Sequence, residues 1–273
     1  MTYKVIALDL DGTLLDPTKH ILPESIEALA KAKNTGVKVV IVTGRHYNAI
    51  APFYQALALD TPAICCNGAL LYDYKENKVT DADPVNPEQA IKLLELLEKH
   101  QIKCLMYADD KMIYQEATGH ITRTENWFKS VPESQRPIYQ HVNALKDAAR
   151  EVSHIWKFAL TDSDTDKLHN IRSIIEDELH MSFDQSWHDQ VDVAQKGISK
   201  GKRLEQWVTS QGLSMKDVIA FGDNYNDISM LESVGLSVAM GNAVDTVKDI
   251  SDRIIENNDQ PGIAKVIEEI FNN

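Results

Sequence analysis

The sequence predicts an α/β protein: a doubly wound parallel-sheet core of Rossmann-like form, carrying an inserted α/β module. Two observations predict the core. Short apolar runs recur at 3–10, at 37–42 ("VKVVIV"), at 63–66, and in "DVIAFGD" and "LSVAM" near the C-terminus. Amphipathic helical patterns separate them, and strands that are apolar throughout, joined by helices, belong to a parallel sheet covered on both faces. The third observation predicts the insertion, because the texture changes between about 84 and 190. This stretch holds a helix opened by Pro87, a hairpin "KCLMYADDKMIYQ" turning at Asp109 and Asp110, and a strand-helix-strand unit over 154–185. The expected division is core at 1–83, inserted domain at 84–190 and core again at 191–273.

Each core element has its own signal. After the first strand, Pro23 opens a helix with Ile26, Leu29 and Ala30 on one face, and Gly36 lies just past its end. The second strand, Val37 to Val42, is followed by a helix expected to run through Tyr47, Ile50, Tyr54 and Leu57. Ala63 to Cys66 makes the third strand. The last quarter resumes the alternation with helices expected from about Tyr225 and after Ala243 and Gly262.

A formal charge of -13 and a pI near 5.1 exclude a general binder of nucleic acid or anionic membrane, because the long-range field repels phosphate polymers. A small phosphorylated ligand would need only local cations. The opening "MTYKVIALDLD" lacks a signal-peptide pattern, no stretch has the length of a membrane span, and Cys65, Cys66 and Cys104 lack CxxC spacing. The expected address is the cytoplasm, with reduced core cysteines.

Ligands of open parallel sheets bind beyond the carboxyl ends of the strands. Four polar strand ends stand out here: Asp9 and Asp11 with Gly12; Thr43, Gly44 and Arg45; Asn67 and Gly68; and "GDNYND", Gly222 to Asp227. Any one of them can be read as caps and turns. Together they stack Asp9, Asp11, Asp223 and Asp227 at one sheet edge, where the repulsion calls for a hard divalent cation, with oxygen-only ligands favouring magnesium. The spacing of Asp223 and Asp227 predicts one helical face. A carboxylate beside such an ion can act as a nucleophile and a second can carry a proton, which points to phosphoryl transfer. Thr43 and Gly44 offer hydroxyl and N–H donors, and Lys200 in "GISKGKRL" a positive charge.

"DLDGT", "VTGR", the lysine of "SKG" and "GDNYND" occur in the order of the four motifs of the haloacid dehalogenase superfamily. The chain resembles its Cof-type phosphatases, with "CCNGALLYD", "AMGNA" and a C2-type (C2B) cap in the long segment between the second and third motifs. The resemblance implies a magnesium-dependent phosphomonoester hydrolase acting on a small cytosolic metabolite through an aspartyl phosphate. Asp9 would be the nucleophile and Asp11 the acid and base; Thr43, Gly44 and Lys200 would hold the phosphoryl group. Asp9, Asp223, Asp227 and the main-chain carbonyl of Asp11 would hold Mg2+, with Arg45, Asn67 and Asn226 in support, and the cap would close over the site. Implied substrate classes are sugar phosphates, flavin mononucleotide (FMN) and pyridoxal 5'-phosphate, the last by overall similarity to the group's pyridoxal phosphate phosphatases. A phosphomutase and a non-enzymatic phospholigand sensor are the rival readings.

Three patterns are set aside. "GISKGKR" is one residue short of a P-loop, with Arg203 where the hydroxyl should stand. "DSDTD" at 162–166 imitates a calcium loop, but Lys167 replaces the glycine, so a helix start is expected. Trp127, Trp156, Trp187 and Trp207 are read mainly as packing residues, and Lys157 and His188 as possible substrate contacts of the inserted module.

Overall fold

The computed structural model describes residues 3–117, 119–187 and 189–271. The chain divides into two compact units. One gathers residues up to Gly44, Pro52–Thr80 and the chain from Ser199 onward; the other comprises Arg45–Ala51 and Asp81–Ile198.

The first unit opens with β1 (Val5–Leu8), all four of whose residues are fully buried, so both faces of the strand need cover. Helix α1 (Pro23–Asn34) starts with proline in its first turn and buries Ala28, Leu29 and Ala32. Strand β2 (Lys38–Ile41) lies parallel to β1, with Val5 opposite Lys38 and Leu8 opposite Ile41. Helix α2 (Ala51–Ala56) leads to an antiparallel sheet of β3 (Ala63–Cys65), β4 (Leu70–Asp73) and β5 (Lys78–Ala82). A single parallel bridge, Val42 to Ile64, ties β3 to the chain just past β2. The expected helix from Tyr47 to Leu57 is instead a 3-10 turn at Tyr47–Ala49 followed by α2. Pro52 has no N–H and is tolerated only in a first turn, which is where the break places it.

The second unit is built on a six-stranded sheet. Its strands are β6 (Lys103–Ala108), β7 (Lys111–Tyr114), β8 (Tyr139–His141), β9 (Ile155–Thr161), β10 (Asp184–Trp187) and β11 (Gln190–Val193), in the order β10-β11-β9-β6-β7-β8. Helices α3 (Pro87–His100), α4 (Gly119–Ser130), α5 (Leu145–Glu151) and α6 (Thr165–Asn170) belong to it. Leu93 and Leu97 of α3 pack with Cys104, Met106, Phe158 and Leu160, so one face of the sheet is the core. Because β11 pairs antiparallel with β9, the chain stays in this unit through Ile198, past the expected boundary at 190. The "DSDTD" stretch starts a helix: Asp164 caps α6 by accepting from Lys167 N, and Asp162 holds the Lys167 side chain.

Arg45–Ala51 joins this unit through the hairpin turn between β6 and β7. The main-chain oxygen of Asp109 accepts from Tyr47 Oη at 2.8 Å and Trp156 Nε1 at 2.9 Å, and His46 Nε2 lies 3.2 Å away. Asn48 N donates to His46 Nδ1, so the ring is the neutral Nε2–H tautomer.

The first unit then resumes with α7 (Lys200–Ser210), β12 (Val218–Gly222), α8 (Ile228–Leu231), β13 (Leu236–Ala239), α9 (Asp245–Ile250), β14 (Arg253–Ile254) and α10 (Gly262–Phe271). Its parallel sheet has the order β14-β13-β12-β1-β2, with β1 lying between β12 and β2. The carboxyl ends of β1 and β12 are therefore neighbours, as are those of β1 and β2. Cys65, Cys66 and Cys104 are buried and belong to no disulfide. Among the described residues, no helix is long and apolar enough to cross a membrane.

Burial pushes the His46 pKa down to about 3, with the Lys157 charge adding to the effect and the Asp109 carbonyl opposing it. The unfolded ring protonates near 6.5 and the folded ring does not, so stability is lost as pH falls from 6.5 toward 3, at up to about 1.4 kcal/mol per pH unit. Urea midpoints followed by tryptophan fluorescence should show a flatter pH dependence in this window for His46→Gln than for the wild type. Parallel curves would contradict the assignment.

Candidate active site

The site is built at the carboxyl ends of β1 and β12. Asp9 follows β1, and its N–H donates to Phe221 O of β12 at 3.2 Å, which fixes the two strand ends in register. Lys200 is the first residue of α7, whose N-cap Ser199 accepts from Lys202 N at 3.1 Å. The Lys200 ammonium is fully buried and donates to Asp9 Oδ1 at 2.6 Å and to Asp227 Oδ1 at 2.7 Å. The other oxygen of Asp227 accepts from the N–H groups of Asp223 and Asn224 at 3.0 and 3.1 Å.

That last pair of bonds corrects the expectation of a shared helical face. Residues 225–227 form a 3-10 turn with reciprocal capping by Asn224 and Asp227, and α8 begins only at Ile228. Asp227 meets Asp223 because its carboxylate caps the turn that carries Asp223. Asp223 Oδ1 in turn accepts from Thr13 Oγ1 at 2.8 Å. Gly12 lets these segments meet: its φ is +86°, and a Cβ there would lie 2.2 Å from Asp223 Oδ2.

Asp9, Asp223 and Asp227 each offer a carboxylate oxygen, and the three oxygens lie within 4.8 Å of one another. Such a set suits a hard cation with oxygen ligands. The electrostatics agree. Burial, reinforced by Asp227 and Asp11 and opposed by Lys200, raises the Asp9 carboxyl to about 7. Burial, followed by Asp9 and Asp227, lifts Asp223 well above the usual carboxylate range. Burial works against the Lys200 charge, but Asp227 and Asp9 outweigh it and raise its pKa. One ammonium does not balance three crowded carboxylates, and a divalent cation would.

Asp11 stands outside this group. Its carboxylate accepts from Lys19 Nζ at 2.7 Å, and about a third of its side chain is exposed. Thr43 is buried after β2; its N–H donates to Ile64 O at 2.8 Å and its carbonyl accepts from Asn67 N at 3.0 Å. Asn67 Oδ1 accepts from Asn226 Nδ2 at 3.1 Å, and a Cβ on Gly44 would lie 2.8 Å from that same oxygen. The structure therefore brings together Asp9, Asp223, Asp227 and Lys200, and separately Thr43, Gly44, Asn67 and Asn226.

Arg45 belongs to the second unit, where its guanidinium lies 5.1 Å from the centre of the Trp127 ring. Lys157, also there, is buried in an ion pair with Asp192 at 2.6 Å and sits 4.6 Å from the Tyr107 ring centre. His188 lies outside the described residues. Sequence reasoning missed Thr13, Lys19 and Asn242, whose side chain donates to Gly12 O at 2.8 Å. Thr13 adjoins "DLDG" and could have been read as part of that turn; no sequence period connects the other two to it.

The comparisons with known proteins follow the same outline. The profile of the haloacid dehalogenase-like hydrolases matches residues 6–267. The pyridoxal phosphate phosphatase YbhA of Escherichia coli (strain K12) is 55% identical over 267 residues, 98% of each chain. The 5-amino-6-(5-phospho-D-ribitylamino)uracil phosphatase YcsE of Bacillus subtilis (strain 168) is 29% identical over 97% of this chain and 94% of its own. The crystal structure of a haloacid dehalogenase-like hydrolase from Bacteroides thetaiotaomicron superposes with a TM-score of 0.83 at 27% identity, covering 99% of this chain and 100% of that one. With the acids of its first and fourth motifs meeting on the buried lysine of the third, and a profile match along nearly its whole length, the chain belongs to the haloacid dehalogenase-like hydrolases.

Proposed function

We propose that this phosphatase hydrolyses pyridoxal 5'-phosphate through an aspartyl phosphate on Asp9. The observation that carries the mechanism is the Lys200 ammonium held between Asp9 and Asp227, beside Asp223. The substrate rests on the 55% identity to an enzyme named for that activity.

In the first step a carboxylate oxygen of Asp9 attacks phosphorus, the bond to the ester oxygen breaks, and Asp11 gives that oxygen its proton. In the second step Asp11 takes a proton from water as the water attacks the phosphorus of the aspartyl phosphate, releasing inorganic phosphate and free Asp9. Lys200 has a third N–H beyond its two carboxylate bonds, and with Thr43 and Gly44 it would hold the phosphoryl oxygens. Asp9, Asp223, Asp227 and the carbonyl of Asp11 would hold magnesium, which when bound screens the nucleophile from its anionic target. Asn67 and Asn226 brace the Thr43–Gly44 loop. The inserted second unit corresponds to the cap of the Cof-type group.

Asp9→Asn, which keeps the shape but removes the nucleophile, should lower phosphate release by at least about a thousandfold. Undiminished activity would sink the mechanism. Chelation should abolish turnover and added magnesium restore it, whereas activity that survives chelation would remove the metal from the scheme. Across pyridoxal 5'-phosphate, hexose phosphates and FMN, kcat/KM should be highest for the first; equal turnover would remove the substrate assignment alone.

A further inference from the structure

Arg203 is among the largest fully buried side chains of the described residues, at 2% exposure, and the scheme above gives its charge no task. It lies one helical turn after Lys200 on α7, and residues three apart share a helix face. Its main-chain N–H donates to Ser199 O at 3.1 Å, while its side-chain Nε donates to Gly68 O at 2.9 Å. Gly68 also rests against the first carbonyl of that helix: with φ at +96°, a Cβ there would lie 2.3 Å from Ser199 O. The main-chain bond is the ordinary helical one, so it is the Arg203 side chain that ties the Gly68 segment to the first turn of α7.

The segment it grips is strained. Cys66, Asn67 and Gly68 have φ of +53°, +59° and +96°, a run of left-handed residues of which two carry side chains. Such a run persists only where its surroundings over-determine it, and strain of this kind gathers at functional sites. The run has contacts in three directions. Asn67 N donates to Thr43 O, Asn67 Oδ1 closes on Gly44 and accepts from Asn226, and Gly68 abuts the residue before Lys200. The turn therefore spans the distance between the Thr43–Gly44 loop and the start of α7.

We infer that Arg203 is a positioning residue for the phosphoryl-binding end of the site. By anchoring the Gly68 carbonyl it keeps the left-handed turn seated on the first turn of α7, and so sets the separation of Lys200 from Thr43 and Gly44. A guanidinium suits this because Nε is a directional donor within a rigid plane, which a lysine ammonium cannot reproduce. The inference rests on reading Lys200, Thr43 and Gly44 as the phosphoryl-binding groups.

The test compares Arg203→Lys with the wild-type full chain in saturating magnesium, reading kcat/KM, the competitive inhibition constant for inorganic phosphate, and melting temperature. A misplacement near 1 Å costs about a hundredfold. The lysine variant should accordingly lose between about tenfold and a hundredfold in kcat/KM, and phosphate should inhibit more weakly by a similar factor. The magnesium concentration for half-maximal activity should not move. Should the lysine variant fail to fold, Arg203→Met, whose unbranched apolar chain fills the space without an Nε donor, carries the same expectation. Asn67→Gly relaxes the turn from the other side, so its effect and that of the arginine variant should be less than additive when combined. Variants that melt earlier but keep wild-type kcat/KM and phosphate inhibition while folded would reduce Arg203 to packing and overturn the inference. Full activity in Lys200→Met would instead overturn the underlying site reading, so the two failures are distinguishable.

Discussion

The Lys200 ammonium and the carboxylates of Asp9 and Asp227 meet almost wholly out of water, at 2.6 and 2.7 Å. Taking three charges out of water is costly, and a pair of this kind stabilises a fold only where geometry and further hydrogen bonds are good. Here the further bonds exist: two main-chain N–H groups satisfy the second oxygen of Asp227, and Thr13 satisfies Asp223. Removing any one member would leave the others buried and uncompensated, which is the expensive case. This interaction constrains the fold as well as the chemistry, because Asp9 and Lys200 are 191 residues apart and one hydrogen bond closes the chain between them.

The parallel sheet makes that closure possible. With β1 between β12 and β2, its carboxyl end adjoins both of theirs, so three widely separated segments deliver Asp9, Asp223 and Thr43 to one edge. Asp81–Ile198, the larger part of the second unit, can then interrupt the first unit without disturbing the register, because neither β1, β2 nor β12 lies within it. The cost of the arrangement is an excess of negative charge. Burial, with the neighbouring carboxylates adding to it, raises the Asp9 and Asp223 carboxyls, and three acids crowded in this way suit a hard cation.

What the sequence reveals and what it conceals divide along physical lines. Continuous apolar strands and the acids that end them are local signals, and the sheet, the hairpin at Asp109 and the grouping of Asp9, Asp223 and Asp227 could be read from them, whereas Asp11, expected with those acids, lies outside the group. The break at Pro52 was also local, but the spacing of Tyr47, Ile50, Tyr54 and Leu57 masked it. Contacts set by tertiary closure leave no periodic trace. Nothing near "DLDGT" indicates that Lys19 will turn back to Asp11, and Arg203 reaches Gly68 across 135 positions. Lys157 is intermediate: a charge inside the buried run "HIWKFAL" demands a partner, but only the antiparallel pairing of β9 with β11 brings Asp192 near it.

The central claim is that a carboxylate oxygen of Asp9, beside Lys200 and the neighbouring acids, becomes covalently bonded to phosphorus. Rapid acid quench during turnover, followed by mass spectrometry of the peptide carrying Asp9 and Asp11, tests it most directly. The account predicts a phosphoryl group on Asp9, labile to hydroxylamine, that forms and decays fast enough to lie on the reaction path. A phosphoryl group on any other side chain, or turnover at full rate with Asp9 never labelled, would contradict it.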